Sequence, residues 1–277
     1  MTSGGTGPPA RRQVPITQRT GPPGENQVPI IQRTEPPALP RPRTGGSGKR
    51  RRGTLTPEMI VTESLRLLDA GGVEGFSLPK LGHALGADPT AVYRHFASKD
   101  DLVLSIADRL IQEAMAGLEP SQCWADTIAE MARRLRSTYR AHPAAASLSS
   151  YRTTQRAAEM RTVDVLVGAV LAAGFTGAQA ADMYRAVGEF VLSWAGTEAA
   201  YLALDERLRH EDRAAWTQAY LAVDRAKYPS IWQIRDDLAS VSADGMFETS
   251  LSIVIEGLRV LAPQPCCEAH TNPREDG

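Results

Sequence analysis

The chain has 277 residues, with 31 Lys and Arg against 32 Asp and Glu, 42% hydrophobic residues and 6% aromatics, enough for one large or two modest domains that fold without covalent staples. Three cysteines with no C-x-x-C pair make neither a disulfide framework nor a zinc site of usual spacing, so a reducing cytoplasm is expected. The first residues lack an apolar signal segment, and the longest apolar run, Val165–Phe175, is 11 residues and too short to cross a bilayer, which excludes secreted and membrane-spanning classes.

Residues 1–52 carry ten basic side chains against Glu25 and Glu35, a balance of +8 that leaves −9 on residues 53–277. Ten of the 19 prolines also fall there, with scarcely any large apolar residue. Such a segment cannot bury enough surface to offset chain entropy, so it is expected to be a disordered tail. A block repeats within it, Gln13–Pro23 and Gln27–Pro37, at a period of 14 residues. Neither copy has a hydrophobic face to stack, so the repeat reads as a duplicated tail and not as a solenoid.

From Thr54 the pattern turns helical. Thr56 is placed to cap a helix with Pro57 at its first position, and Ile60, Leu67 and Leu68 recur on one stripe that Val61 and Leu65 widen. The Gly71–Gly72 pair is expected to stop it. Ser77 then caps a short second helix with Leu81 and Leu85 inward, and Gly86 suits a left-handed C-terminal cap. Asp88 caps a third helix over Pro89–Phe96. Ser98 opens a fourth, expected to run to about Gly117, with Asp101 where a capping box places an acid.

Two short helices across a tight glycine turn form a helix-turn-helix, here over about residues 77–96. The second of them suits a DNA groove. Thr90, Ala91, Arg94 and His95 make a small, polar outer face, while Val92 and Phe96 point inward. Small residues let a backbone approach base edges, and a threonine can meet a thymine methyl or hydrogen-bond a base or phosphate. Tyr93, Lys99 and the first amides of the fourth helix are placed for phosphates. A purely structural glycine-turn pair would carry the same shape.

The elements Leu85-Gly86-Ala87, Val92-Tyr93-Arg94-His95-Phe96 and Ser98-Lys99-Asp100-Asp101-Leu102, in this order and spacing, resemble the DNA-binding domain of tetracycline-repressor (TetR) family regulators. The match covers about 60 residues, Arg52 to Met115. It implies a recognition helix at Pro89–Phe96 whose Thr90, Ala91, Tyr93, Arg94 and His95 face DNA, with Lys99 on a phosphate. Ser77 at the head of the second helix, and Arg50, Arg51 and Arg52 beside the first, complete the expected DNA set. The basic run either tracks the backbone or an adjacent minor groove, or merely keeps the tail soluble. Pro79 and Gly82 depart from the family pattern, which carries a polar or basic residue and Ala there.

Residues 103–262 carry helical signals and no strand pattern. Helices are expected over Trp124–Arg140, from Met160 to Gly174, from the Thr176 cap to about Leu204, around Ala214–Ala226, and over Ala243–Leu261 with Phe247, Leu251, Val254, Ile255 and Leu258 inward. Asp205–Arg213 reads as a polar connection. The apolar surplus on the long helices favours a dimer interface. Leu166–Phe175 and Met246–Leu258 resemble the regulatory core of the same family, which implies a four-helix dimer interface and an enclosed ligand pocket.

Trp124, Tyr139, His142, Tyr151, Phe190 and Trp194 are the candidate ligand-binding residues, with Met160 and Tyr201 as further lining. Ordinary core packing accounts for the same positions. Cys266, Cys267 and His270 give only three soft ligands in a polar, Pro-flanked stretch, so no metal is expected. No hydrolase, zinc-protease or phosphate-loop motif occurs, and neither enzyme activity nor a cofactor is expected.

The sequence therefore describes an all-α chain: a tail at 1–52, a helix-turn-helix domain at 53–116, a regulatory and dimerisation domain at 117–262, and a second tail at 263–277. The function expected is that of a cytoplasmic homodimeric repressor, released from a palindromic double-stranded DNA operator by a small-molecule effector. The contact between the helix opened by Ser98 and the one ending at Gly174 would carry the change. An activator, a regulator without ligand, or a small-molecule-binding or enzymatic bundle with a structural helix-turn-helix are the alternatives.

Overall fold

Helix caps set the order of the first four elements. The computed structural model describes residues 55–265, and its regular structure there is entirely helical. Arg50, Arg51, Arg52, both repeat copies, Cys266, Cys267 and His270 lie outside the described residues. Helix α1 (Pro57–Gly75) starts where Thr56 Oγ1 accepts the Met59 N–H at 3.3 Å. Helix α2 (Leu78–Ala84) starts where Ser77 Oγ accepts the Lys80 N–H at 3.4 Å. Helix α3 (Lys99–Ala114) opens with Ser98 Oγ accepting the Asp101 N–H at 3.0 Å, while the Asp101 carboxylate reaches one residue beyond the N-cap of a capping box, its Oδ2 accepting the Ala97 N–H at 2.8 Å.

Two of these elements differ from expectation. The glycine pair breaks α1 without ending it: Gly72 takes φ 62 and ψ −171, and helical turns resume as far as Gly75. The third element is a 3-10 helix, Pro89–Arg94, and not an α-helix to Phe96. Asp88 Oδ1 accepts both the Thr90 N–H at 2.8 Å and the Thr90 hydroxyl at 2.6 Å, which tightens the first turn.

The remaining helices are α4 (Trp124–Ala141), α5 (Pro143–Ser149), α6 (Ala157–Ala172), α7 (Gly177–Leu202), α8 (Glu206–Leu221), α9 (Pro229–Gln233), α10 (Arg235–Ser240) and α11 (Ala243–Leu261). Helix α5 is additional to the expected elements. Its periodicity is hidden because the buried side chains are only Ala144, Ala145, Ala146 and Ser149. The polar stretch before Ala214 is helical too, since Asp205 caps α8 through the Arg207 N–H at 2.9 Å and Arg207 pairs with Glu211 one turn on at 2.7 Å.

Helix α3 lies at the centre. It packs on α1, α4, α5 and α6, while α4 and α5 pack on α7, and α11 covers α4 and α7. One apolar core runs from Ile60 and Leu68 through Leu110 and Ile128 to Phe247 and Leu251. On α6 and α7, Leu166, Val170, Val187 and Val191 are buried, whereas Met160 and Leu171 face outward. Helices α8 to α10 bury no residue, and α8 packs chiefly on α10, where Trp216 Nε1 donates to the Leu238 carbonyl at 3.2 Å. The chain after α11 turns back, and the Gln264 N–H donates to the Ala173 carbonyl at 3.1 Å. No described helix is long and apolar enough to cross a membrane.

Candidate nucleic-acid interface and buried cavity

The short helix Pro89–Arg94 is anchored by Val92 and by Phe96 just beyond it, both buried. Thr90, Tyr93, Arg94 and His95 are exposed, Tyr93 at 52%, and Ala91 is half-buried. Helix α2 holds this element close. A β-carbon on Gly82 would stand 2.9 Å from both N and Cα of Pro89, which explains a glycine where the family pattern has alanine. Gly86, at φ +60, makes the turn between them. Exposed Lys99 heads α3, its Nζ 5.8 Å from the centre of the Phe76 ring, so its stem leans on the domain while its charge stays at the surface. Ser77, half-buried, spends its hydroxyl on the α2 cap. Two carboxylates border this surface. Glu58 is held below its usual range by a backbone amide, then by Thr56 and the nearby His95, and Asp88 by its two hydrogen bonds from Thr90.

A cavity of about 120 Å³ lies among α3, α4, α6 and α7. Its wall is mainly apolar: Ile111 of α3, Met131 and Leu135 of α4, Leu166 of α6, Val187 and Val191 of α7. Among the polar residues of the wall are Tyr139, Tyr184, Ser149, Ser150, Arg152, Glu159 and Thr162. Burial, and then the charge of Glu159, push the Tyr139 hydroxyl well above its usual pKa, so it stays protonated. An apolar wall with a few convergent polar groups is the lining chemistry of a small-molecule site, in a volume below the roughly 300–1,000 Å³ usual for drug-sized ligands.

Of the six ligand candidates, only Tyr139 reaches this wall. Trp124 is buried at the head of α4. Trp194 packs between Phe190, ring centres 6.3 Å apart, and Phe247 at 6.0 Å, on the side of α7 that meets α11. Tyr151 is 75% exposed. His142 instead joins helices: its Nδ1 lies 2.9 Å from Asp69 of α1 and its Nε2 3.4 Å from Glu113 of α3. Met160 and Tyr201 are also off the wall, the Tyr201 hydroxyl donating to the Arg209 carbonyl at 2.9 Å. Large aromatic side chains at helical spacing signal core positions, whereas Arg152, Glu159 and Thr162 carry no periodic signal that separates them from a solvated surface.

The segment between α5 and α6 binds the cavity to α3. Arg152 donates from both Nη atoms to Asp100, at 2.6 and 2.8 Å. Arg156 Nη2 donates to Asp101 Oδ1 at 2.5 Å. Asp108 Oδ1 accepts the Ala158 and Glu159 N–H groups at 3.1 and 3.0 Å, capping α6 from α3. The expected α3–α6 contact is present and is built from ion pairs and a shared cap as well as apolar packing.

Comparison with known proteins agrees with this geometry. Residues 60–106 match the family described as bacterial regulatory proteins, tetR family, and residues 116–262 match the tetracyclin repressor-like C-terminal domain. The chain is 30% identical over 185 residues to an HTH-type transcriptional regulator of Saccharopolyspora erythraea, covering 66% of this chain and 75% of that protein. It is 24% identical over 206 residues to the class A tetracycline repressor protein from transposon 1721 of Escherichia coli, covering 74% and 90%. The fold is similar to that of ActR, a TetR family protein of Streptomyces coelicolor solved with (S)-DNPA, with a TM-score of 0.66 and 23% identity over 76% of this chain and all of that one. With both domain models matched in order, and with a helix-turn-helix joined by α3 to an apolar cavity, the chain belongs to the TetR family of DNA-binding transcriptional regulators.

Proposed function

We propose that the chain is a homodimeric repressor, released from a palindromic operator when a small molecule occupies the cavity among α3, α4, α6 and α7. The observation that carries this reading is the position of α3. One helix follows the recognition element directly, supplies Ile111 to the cavity, and takes ion pairs from the segment beside it. A ligand that fits better when α3 is displaced must weaken DNA binding, and DNA must weaken ligand binding by the same factor. Thr90, Tyr93, Arg94 and His95 are the side chains assigned to the groove, with Lys99 on a phosphate. This assigns the chain a regulatory role in the cytoplasm and no catalytic one.

Support for the dimer comes from α11. Met246, Ile253, Gly257 and Val260 recur at seven- and three- or four-residue spacing on its outer side, opposite buried Phe247, Leu251 and Leu258. Ile253 is 67% and Val260 85% exposed, an apolar stripe that water would not favour. A second copy of the same stripe covers it by two-fold symmetry. Binding of the full chain to genomic fragments at fixed salt, followed by footprinting, tests the reading. Two protected half-sites related by inversion, roughly 34–36 Å apart or a multiple of that, are expected. An unsymmetrical footprint, or a dimer that survives both Ile253→Asp and Val260→Asp in gel filtration, would sink it.

A further inference from the structure

The cavity wall holds two charged residues, Arg152 and Glu159, and they are not equivalent. Glu159 is committed to its own turn. Its Oε2 accepts the Thr154 N–H at 2.6 Å, the Thr154 hydroxyl at 2.7 Å and the Gln155 N–H at 2.7 Å. That carboxylate holds Gln155 at φ 56, the left-handed region that no other non-glycine residue among those described adopts. Arg152 is committed to Asp100, but this partner sits at the first turn of α3 with its side chain 59% exposed. An exposed ion pair is screened by water and easily exchanged. The third group is Tyr139. It is 2% exposed, stays protonated, and lies on the cavity wall. A protonated hydroxyl on the wall of a cavity is a donor available to a bound oxygen.

We infer that the effector is an apolar acid, its body against Met131, Leu135 and Val191 and its ionised oxygens accepting from the Tyr139 hydroxyl and the Arg152 guanidinium. The assignment rests on the repressor reading and specifies the ligand class and the release step. Both Nη atoms of Arg152 are held by Asp100, so the acid has to draw the guanidinium away from α3. Asp100 lies two residues after Ser98, at the junction of α3 with the recognition element. Ligand binding and the Arg152–Asp100 pair therefore compete for one cation, which converts the ligand's charge into a loosened hold on α3. A cationic ligand would face Arg152 and would have to dismantle the Gln155 turn to reach Glu159.

Two probes of one shape separate charge from size: 2-naphthoate and 2-naphthamide, titrated calorimetrically into the full chain without DNA. The acid should bind about tenfold more tightly than the amide, the scale of one charge-assisted hydrogen bond. Arg152→Gln should bring the acid down to the amide's affinity, and Arg152→Lys should keep part of the preference, since lysine retains charge without the fork. Asp100→Asn removes the competitor at an exposed position, so it should strengthen the acid by about threefold or more and leave the amide unchanged. Equal affinities, no binding of either probe, a preference that survives Arg152→Gln, or an Asp100→Asn variant with unaltered affinity for the acid overturns the inference. Failure of the chain to bind DNA in the absence of probe is a separate result and bears on the repressor reading alone.

Discussion

Gly196 of α7 and Ser150 at the end of α5 leave no room between them: a β-carbon on Gly196 would stand 2.6 Å from the Ser150 Oγ and 2.9 Å from its β-carbon. The hydroxyl can rotate away, but the β-carbon cannot. Alanine at this position gains roughly 1 kcal/mol of helix propensity. Overpacking should cost more, about 1–3 kcal/mol. Gly196→Ala is therefore expected to lower the melting temperature, and adding Ser150→Gly should restore part of the loss. A Gly196→Ala protein as stable as the parent would show that α5 and α7 are further apart than described.

The helix-turn-helix has a similar constraint, and there the opposing atoms are backbone. Gly82→Ala must push the Pro89 backbone away from α2, at a cost of about 1–3 kcal/mol in local packing. Operator affinity should fall, while the near-UV spectrum of Trp194 against Phe190 and Phe247 stays as it is. Undiminished affinity would mean that the turn relaxes freely.

Base-reading and phosphate-holding side chains should separate by their salt response. Arg94→Ala and His95→Ala are each expected to lose about 1–3 kcal/mol on operator DNA, concentrated at particular base pairs. Lys99→Ala should weaken operator and random DNA alike and reduce the slope of log K against log salt by roughly 1. If Lys99→Ala alters specificity and Arg94→Ala does not, the two roles are reversed.

The clamp between α4 and α11 should be acid-sensitive. Asp244 accepts from Arg136 at 2.6 Å and from Arg140, Glu248 from Arg133 at 2.7 Å, and Arg136 also pairs with Glu198 at 2.6 Å while lying 4.4 Å from the centre of the Phe247 ring. Hydrogen bonds from Arg136 hold the Asp244 carboxyl below its ordinary 3.8, and hydrogen bonds from Arg133 hold Glu248 below 4.5. A carboxylate whose folded pKa is depressed contributes stability that is complete above its unfolded value and is lost as pH falls through the folded one. Melting temperature should therefore begin to drop through these pairs below about pH 4.5. An Asp244→Asn, Glu248→Gln double variant should show a shallower drop, and identical slopes in the two proteins would remove these pairs from the account.

How much of this was legible in the sequence follows from how local each signal is. Thr56, Ser77, Asp88 and Ser98 cap their helices as read, because a cap involves only neighbours within a few residues. The inward face of α11 was legible for the same reason. Helix α5 was not, since alanines bury little and carry no stripe. The cavity was mostly illegible. Tyr139 lies on its wall, but Trp124, Trp194 and Phe190 are large and apolar and pack elsewhere, while Arg152 and the Glu159 amide meet partners 52 and 51 residues away in the chain. His142 looked like a ligand donor at a helix junction, and the junction itself uses it, between Asp69 and Glu113.

The ties between α3 and the segment before α6 also constrain how such proteins can recombine. Asp100, Asp101 and Asp108 stand on the side of the joint that travels with the recognition element, while Arg152, Arg156 and the α6 amides stand on the other. A chimera that grafts residues 55–114 onto a foreign regulatory body inherits three carboxylates whose partners stay behind. Asp101 makes the graft harder, because the same carboxylate closes the first turn of α3 and holds Arg156. Moving this reading head to a new sensor therefore means carrying residues 152–159 along with it, so the unit of exchange is larger than the domain that touches DNA.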